Sequence, residues 1–188
     1  MIAVRRARPS DAPLIGAVHV AAWRSAYPGI LPEDYLAGLS VTRQAAFYDR
    51  QIRAGAGVYV AIASGQDVPR GDGPRVVGYT TVGRSTDATL PSGLQADGEI
   101  ETLYVLDDWR ERGVGRRLIR TGAAHLAAAG SRTAFLWVLR NNPSRWFYQR
   151  LGGRPVAESD TRVAGVSVPQ TAYAWDPIER LIAASPAT

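Results

Sequence analysis

The stretch from Glu99 to Gly153 narrows the fold more than any other part of the chain, because strand, turn and helix signals follow one another there without a gap. The acid-bearing segment EIETLYV reads as a strand, and Arg110-Glu111-Arg112-Gly113-Val114-Gly115 reads as a turn that opens a helix. Amides at a helix start have no acceptor inside the helix, and the aligned peptide dipoles add partial positive charge, so the pattern suits an anion, as of a phosphate-bearing cofactor. Gly113 and Gly115 would let the main chain approach that anion with no side chain between them.

Around this segment the punctuation predicts a regular alternation of elements. Ile2–Arg6 reads as a first strand, Ser10 as the cap of a helix whose apolar row is Leu14, Ile15, Val18 and Ala22, and Pro28-Gly29 as its end near Tyr27. A short helix follows Pro32, and a longer one spans about Val41 to Ala54, carrying Phe47 and Tyr48. Strands are predicted over Gly57–Ala63 and Val76–Gly83, joined by a mobile connection from Ser64 to Arg75. A polar loop from Arg84 to Asp97 leads into the strand Gly98–Val105, the helix Val114–Ala129 and the strand Ala134–Leu139. Asn141 or Asn142 caps a helix with Pro143 in its first turn and Gly152 at its end, and two extended segments finish near Trp175.

Composition bounds the chemistry. At 188 residues, 46% hydrophobic and 21% charged, the chain is expected to form one globular domain over 1–188. No apolar run approaches the roughly 20 residues needed to cross a bilayer, and the start lacks a signal peptide's apolar stretch, so a cytoplasmic location with no membrane partner is expected. Without cysteine there is no disulfide and no thiolate, and two distant histidines, His19 and His125, make a metal site unexpected. The 22 basic residues are all arginine and the net charge is +5, yet no nucleic-acid reading motif accompanies them, so a solvated basic surface is expected and nucleic acid is not.

Those elements in the order β-α-α-β-β-β-α-β-α-β, together with RERGVG and NNPSRWFYQRLG, resemble the GNAT superfamily of acetyl-CoA-dependent N-acetyltransferases along nearly the whole chain. Its cofactor signature, Gln or Arg, two residues, Gly, one residue, then Gly or Ala, is met by Arg110, Gly113 and Gly115. A second signature is met by Asn141, Ser144, Phe147, Tyr148, Leu151 and Gly152. The resemblance implies the GNAT acyl-CoA N-acyltransferase fold, an α/β domain whose mixed, mostly antiparallel sheet splays between the fourth and fifth strands and is flanked by helices. It implies acetyl-CoA as cosubstrate and no metal. Leu103, Tyr104 and Val105 would then meet the pantetheine arm, on a strand that carries a bulge. Arg110, Glu111, Arg112, Gly113, Val114, Gly115 and Arg116 would surround the diphosphate, Asn141 would touch the cofactor arm, and Tyr148 would stand near the thioester sulfur.

Acetylation needs a neutral amine, whereas a lysine-like amine with a pKa near 10.4 is protonated at neutral pH. Glu99 and Glu101, two apart on a strand, share a face unless a bulge intervenes, and either can be the base. Phe147 pairs with Leu151 on the buried face of its helix, which turns the Tyr148 phenol elsewhere, toward a departing thiolate. Trp23, Tyr27 and Trp137 are candidates for the acceptor pocket, with core packing as the competing reading; His19 and His125 are read as structural, and Arg24 as exposed. Where some peptide N-terminal acetyltransferases of the superfamily carry a glutamate, this chain has Leu136 and Trp137, and Gly153 replaces the usual aromatic after Leu-Gly. The expected acceptor is a primary amine of a small molecule, or a protein lysine, and a homodimer is expected from its frequency in the superfamily. Transfer of another acyl group, a hydroxyl acceptor, and a CoA-binding regulatory module without turnover stay open.

Overall fold

The computed structural model describes residues 1–68, 73–85 and 89–185. The strands are β1 (Ile2–Arg6), β2 (Gly57–Ala63), β3 (Arg75–Arg84), β4 (Gly98–Val105), β5 (Ala134–Leu139), β6 (Arg154–Val163) and β7 (Val166–Trp175). Helices are α1 (Ala12–Ala26), α2 (Glu33–Ala37), α3 (Val41–Arg53), α4 (Val114–Ala128), α5 (Arg145–Arg150) and α6 (Glu179–Ala184). The strands form one sheet in the order β1-β2-β3-β4-β5-β7-β6, antiparallel at every junction except β4 with β5.

The two faces of the sheet follow from side-chain alternation. On one face Ile119, Ala123 and Leu126 of α4 pack on strand residues including Val82, Ile100, Leu136 and Val138, and Leu118 packs with Ala61, Ala63 and Val77. On the other, Ile15 and Val18 of α1 and Tyr48 of α3 cover Val58, Val60 and Tyr79. Gly122 has no room for a side chain, since a Cβ there would lie 2.7 Å from Val82 Cγ1, and α4 therefore lies close against β3. The two-residue turn between β6 and β7, Ala164-Gly165, has both residues at positive φ (52° and 80°), matching the twist of a tight hairpin.

Several expectations are corrected here. Ser10 caps nothing; it sits in a short 3-10 turn, and Asp11 closes the entry to α1 by accepting from the Arg8 amide at 2.7 Å and from both terminal nitrogens of Arg5. Leu14 is 46% exposed although it begins the predicted apolar row, because the buried stripe runs through Ile15, Val18, His19 and Ala22. Pro143 precedes α5 instead of opening it, with Ser144 at the cap position. Helix α6 had no predicted counterpart. Part of the connection expected to be mobile, 69–72, lies outside the described residues.

Where a relative would carry an aromatic residue at Gly153, a Cβ would stand 2.7 Å from the Trp175 ring and 2.9 Å from the Tyr148 carbonyl oxygen. Trp175, itself buried and donating to the Leu151 carbonyl at 2.8 Å, fills that space from β7. The aromatic mass is supplied by a different strand.

His19 is buried under α3, its Nδ1 3.0 Å from the Tyr48 hydroxyl and 2.8 Å from that of Tyr79. Burial lowers its pKa from 6.5 to about 4, so the folded protein holds it neutral. The unfolded chain binds a proton there below 6.5 and the folded one does not, so this contribution is complete above that pH and is lost as pH falls toward 4. The loss amounts to about 3 kcal/mol. Denaturant melts of the wild type between pH 7 and 4.5 should therefore fall more steeply than those of His19→Asn. Asp11 and Asp97, whose pKa values are lowered, tilt both proteins alike; equal slopes would refute the assignment.

Candidate active site

Strands β4 and β5 start side by side and then part. Glu99 pairs with Phe135, and no further pair forms between them among the described residues. Beyond Glu99, β4 therefore turns an unpaired edge of backbone donors and acceptors toward an opening in the middle of the sheet. The opening belongs to a cavity of about 760 Å³ lined by Leu103, Tyr104 and Val105 on one side and by Leu136, Trp137, Val138 and Leu139 on the other.

A bulge sits at the entrance to the splay. On β3 the adjacent residues Thr81 and Val82 face Thr102 and Ile100, so Glu101 is the extra residue. This places the irregularity just before Leu103–Val105 and breaks the simple alternation of Glu99 with Glu101. Thr102 anchors the strand through its Oγ1, 2.9 Å from Thr81 Oγ1 and 3.1 Å from the Thr81 amide. Glu101 is exposed and lines the cavity; Glu99 is half-buried and does not. Burial, then the neighbouring Glu101 charge, raises the pKa of Glu99. The side-chain room for Glu101 comes from Gly83, where a Cβ would stand 2.8 Å from the Glu101 Oε1.

At one end of the cavity lies the start of α4. Gly113 occupies its cap position at φ 77°, with Glu111 two residues before it at φ 60°, and it makes no side-chain cap bond, so the first-turn amides have no acceptor within the helix. Arg110, Glu111, Gly113, Gly115 and Arg116 line the cavity here. Arg110 is held by Asp107 at 2.9 Å, and Asp107 in turn accepts from Ser25 of α1, which joins the turn to the first helix. Two predicted members face elsewhere. Arg112 lies over the Trp109 ring at 5.0 Å, and the Val114 side chain is buried beside Leu118, leaving only its amide at the helix start.

Tyr148, a buried residue, lines the cavity from α5, and its hydroxyl makes no hydrogen bond among the described residues. Burial, and secondarily Tyr27, pushes this phenol far above its ordinary range, so it stays protonated. The predicted division of faces is corrected: Tyr148 is the deeply packed residue, while Phe147 is half-buried and also lines the cavity, its ring against Gly115. Asn141 is exposed and away from the lining. Asn142 is buried and lines it, its Oδ1 accepting from the Ser144 amide at 2.9 Å.

The far end is walled by Ala22, Trp23 and Ala26 of α1, Tyr27 just past its end, Leu31, Trp137 of β5, Thr161 and Val163 of β6 and Gln170 of β7. Trp23, Tyr27 and Trp137 are thus brought together. Burial raises the pKa of the Tyr27 phenol, with Tyr104 and Asn142 nearby opposing the rise. Trp23 Nε1 is buried beside the Tyr104 hydroxyl without reaching hydrogen-bond geometry. Arg24 reaches the Leu36, Ala37 and Leu39 carbonyls and so fastens the end of α2. The wall from β6 and β7 was absent from the sequence reading; Ala164-Gly165 signals a hairpin, but nothing local tells that it lies beside β5.

The FR47-like protein family model matches residues 92–163, the interval that contains β4, the α4 start and α5. An uncharacterized N-acetyltransferase of Bacillus subtilis (strain 168), YuaI, is 34% identical over 184 residues, covering 96% of each chain. Among solved structures, Arabidopsis thaliana NAA60 in complex with a bisubstrate analogue is similar at TM-score 0.68 and 18% identity, covering 94% of this chain and 98% of that one. The PaiA N-acetyltransferase of Thermoplasma acidophilum in complex with coenzyme A is similar at TM-score 0.65 and 17% identity, covering 91% and 98%. The splayed sheet accounts for the likeness in shape, and the end-to-end likeness to the Bacillus protein settles the lineage: the chain belongs to the GNAT superfamily of acetyl-CoA-dependent N-acetyltransferases.

Proposed function

We propose that this chain transfers the acetyl group of acetyl-CoA to a primary amine of a small molecule, with both substrates bound together. The observation that carries the proposal is the continuity of one cavity from the uncapped start of α4 to the unpaired edge of β4 and on to Glu101 and Tyr148. A diphosphate fits the first of these. Gly113 holds a left-handed conformation with no atom within 4 Å of where a Cβ would be, and Arg110 and Arg116 supply fixed positive charge beside the amides. The pantetheine arm carries amide groups, and the backbone of Leu103–Val105 offers them the hydrogen bonds that β5 has given up.

When bound, acetyl-CoA supplies the activated acyl group. The protein's part is to hold the amine beside it and to manage two protons. Glu101, exposed in the cavity, takes the proton from the incoming ammonium, directly or through water, as nitrogen bonds to the carbonyl carbon. Glu99, whose pKa burial and then the neighbouring Glu101 charge raise, is half-buried and outside the cavity lining, which leaves Glu101 as the base. The nitrogen still carries one proton more than an amide; as the carbon–sulfur bond breaks, Tyr148 gives its proton to the thiolate and regains, through water, the one the nitrogen sheds. A thiol-release assay over a panel of amines, with coenzyme binding measured separately by calorimetry, tests the proposal. Turnover with any amine and a measurable affinity for coenzyme A are expected; tight coenzyme binding with no turnover on any amine would overturn it in favour of a regulatory module.

A further inference from the structure

We infer that the acceptor is a monoamine carrying a compact aromatic or branched apolar body, with its nitrogen at Glu101 and its body in a side cavity under α3. The inference rests on the acetyl-transfer reading of the main cavity and names the class of substrate for it. Its first ground is the distribution of charge. Two carboxylates line the main cavity among the described residues, and one of them, Glu111, belongs to the turn before α4, where the diphosphate is placed. The acceptor end therefore offers the single carboxylate of Glu101, in a cavity whose walls also include Trp23, Tyr27, Leu31, Leu139 and Val163. One ammonium is matched there. A second or third, as in a polyamine, would lose its water against aromatic and aliphatic walls with no counter-charge.

The second ground is geometric. A separate cavity of about 310 Å³ is lined by Phe47, Tyr48, Gln51, Ala56, Val58 and Thr81, and it shares Glu101 and Thr102 with the main one. Glu101 thus stands at a junction, with the thioester side in one direction and an apolar recess in the other. Phe47 is 44% exposed, its ring 5.2 Å from that of Tyr48 and edge-on to it. Tyr48 lies buried beneath, its hydroxyl taken by Tyr79 at 2.7 Å. With that hydroxyl already engaged, the recess presents ring carbon, and its volume sits near the lower bound of roughly 300 Å³ for small-molecule sites. An amine one or two carbons from a ring reaches both features at once.

Calorimetry on the coenzyme-saturated protein, together with steady-state kinetics, tests this with 2-phenylethylamine, propylamine and spermidine. 2-Phenylethylamine should bind roughly tenfold or more tightly than propylamine, the worth of burying a ring, and more tightly than spermidine. Phe47→Ala should reduce the phenylethylamine-to-propylamine preference by roughly tenfold, through KM and not kcat. The half-exposed position of Phe47 makes that variant tolerable to the fold. Because binding is read without turnover, the two readings separate. The binding preference without turnover supports the inference and sinks the transfer proposal. Turnover in which spermidine is preferred, or a Phe47→Ala variant that leaves the preference unchanged, overturns the inference and leaves the transfer proposal standing.

Discussion

Replacement of Tyr148 by phenylalanine is expected to lower kcat about 100-fold, the lower end of what a positioned proton donor contributes, with little change in affinity for coenzyme A. The hydroxyl has no hydrogen-bond partner among the described residues, so its removal strands none of their buried groups, and the ring remains packed among Leu136, Val138 and Tyr173. Melting temperature should consequently stay within a few degrees of the wild type. The upward shift of the phenol has a further consequence for the wild type. An unperturbed tyrosine would start to lose its proton near about pH 10, whereas this one remains a donor there, so the alkaline limb of the rate profile should not report Tyr148. If Tyr148→Phe retains more than about a third of wild-type kcat, sulfur leaves without this proton and its role is packing alone.

Gly113→Val should weaken coenzyme A binding about 100-fold, the equivalent of losing one or two amide-to-phosphate hydrogen bonds at roughly 1.5–3 kcal/mol each. The cause is the backbone. At φ 77° a β-branched residue is strained by about 1–2 kcal/mol, and relief requires turning the very amides that start α4. No neighbour obstructs the new side chain, so the fold survives with the strain stored or released locally. Gly130→Val supplies the control, because Gly130 also has positive φ (92°) and open space but lies past the C-terminal end of α4. Calorimetry should find it normal for coenzyme A. Equal weakening in both variants would mean that general destabilisation, and not the anion cradle, is being measured.

Local chemistry made much of this protein legible before its fold. The bounds of β1, β2, β4 and β5 coincide with those read from the sequence, since each strand is a short β-rich run closed by turn residues. The start of α4 was equally plain, because a glycine at positive φ followed by an amphipathic run is a property of adjacent residues. What the chain could not declare are the relations between segments far apart in sequence. The bulge at Glu101 exists only in register with Thr81 and Val82 of β3, and it decides which of two glutamates enters the cavity. The spacing that named Asn141 could not reveal that Asn142 turns inward, nor that Tyr148 packs more deeply than Phe147. Gly153 looked anomalous until Trp175 arrived from β7 to occupy its space. Covalent neighbours fix turns, caps and periodicity through sterics and backbone hydrogen bonding, and these survive in a one-dimensional reading. Cavities, counter-charges and buried networks such as His19 with Tyr48 and Tyr79 come from close packing between elements, which only the assembled sheet and its helices could arrange.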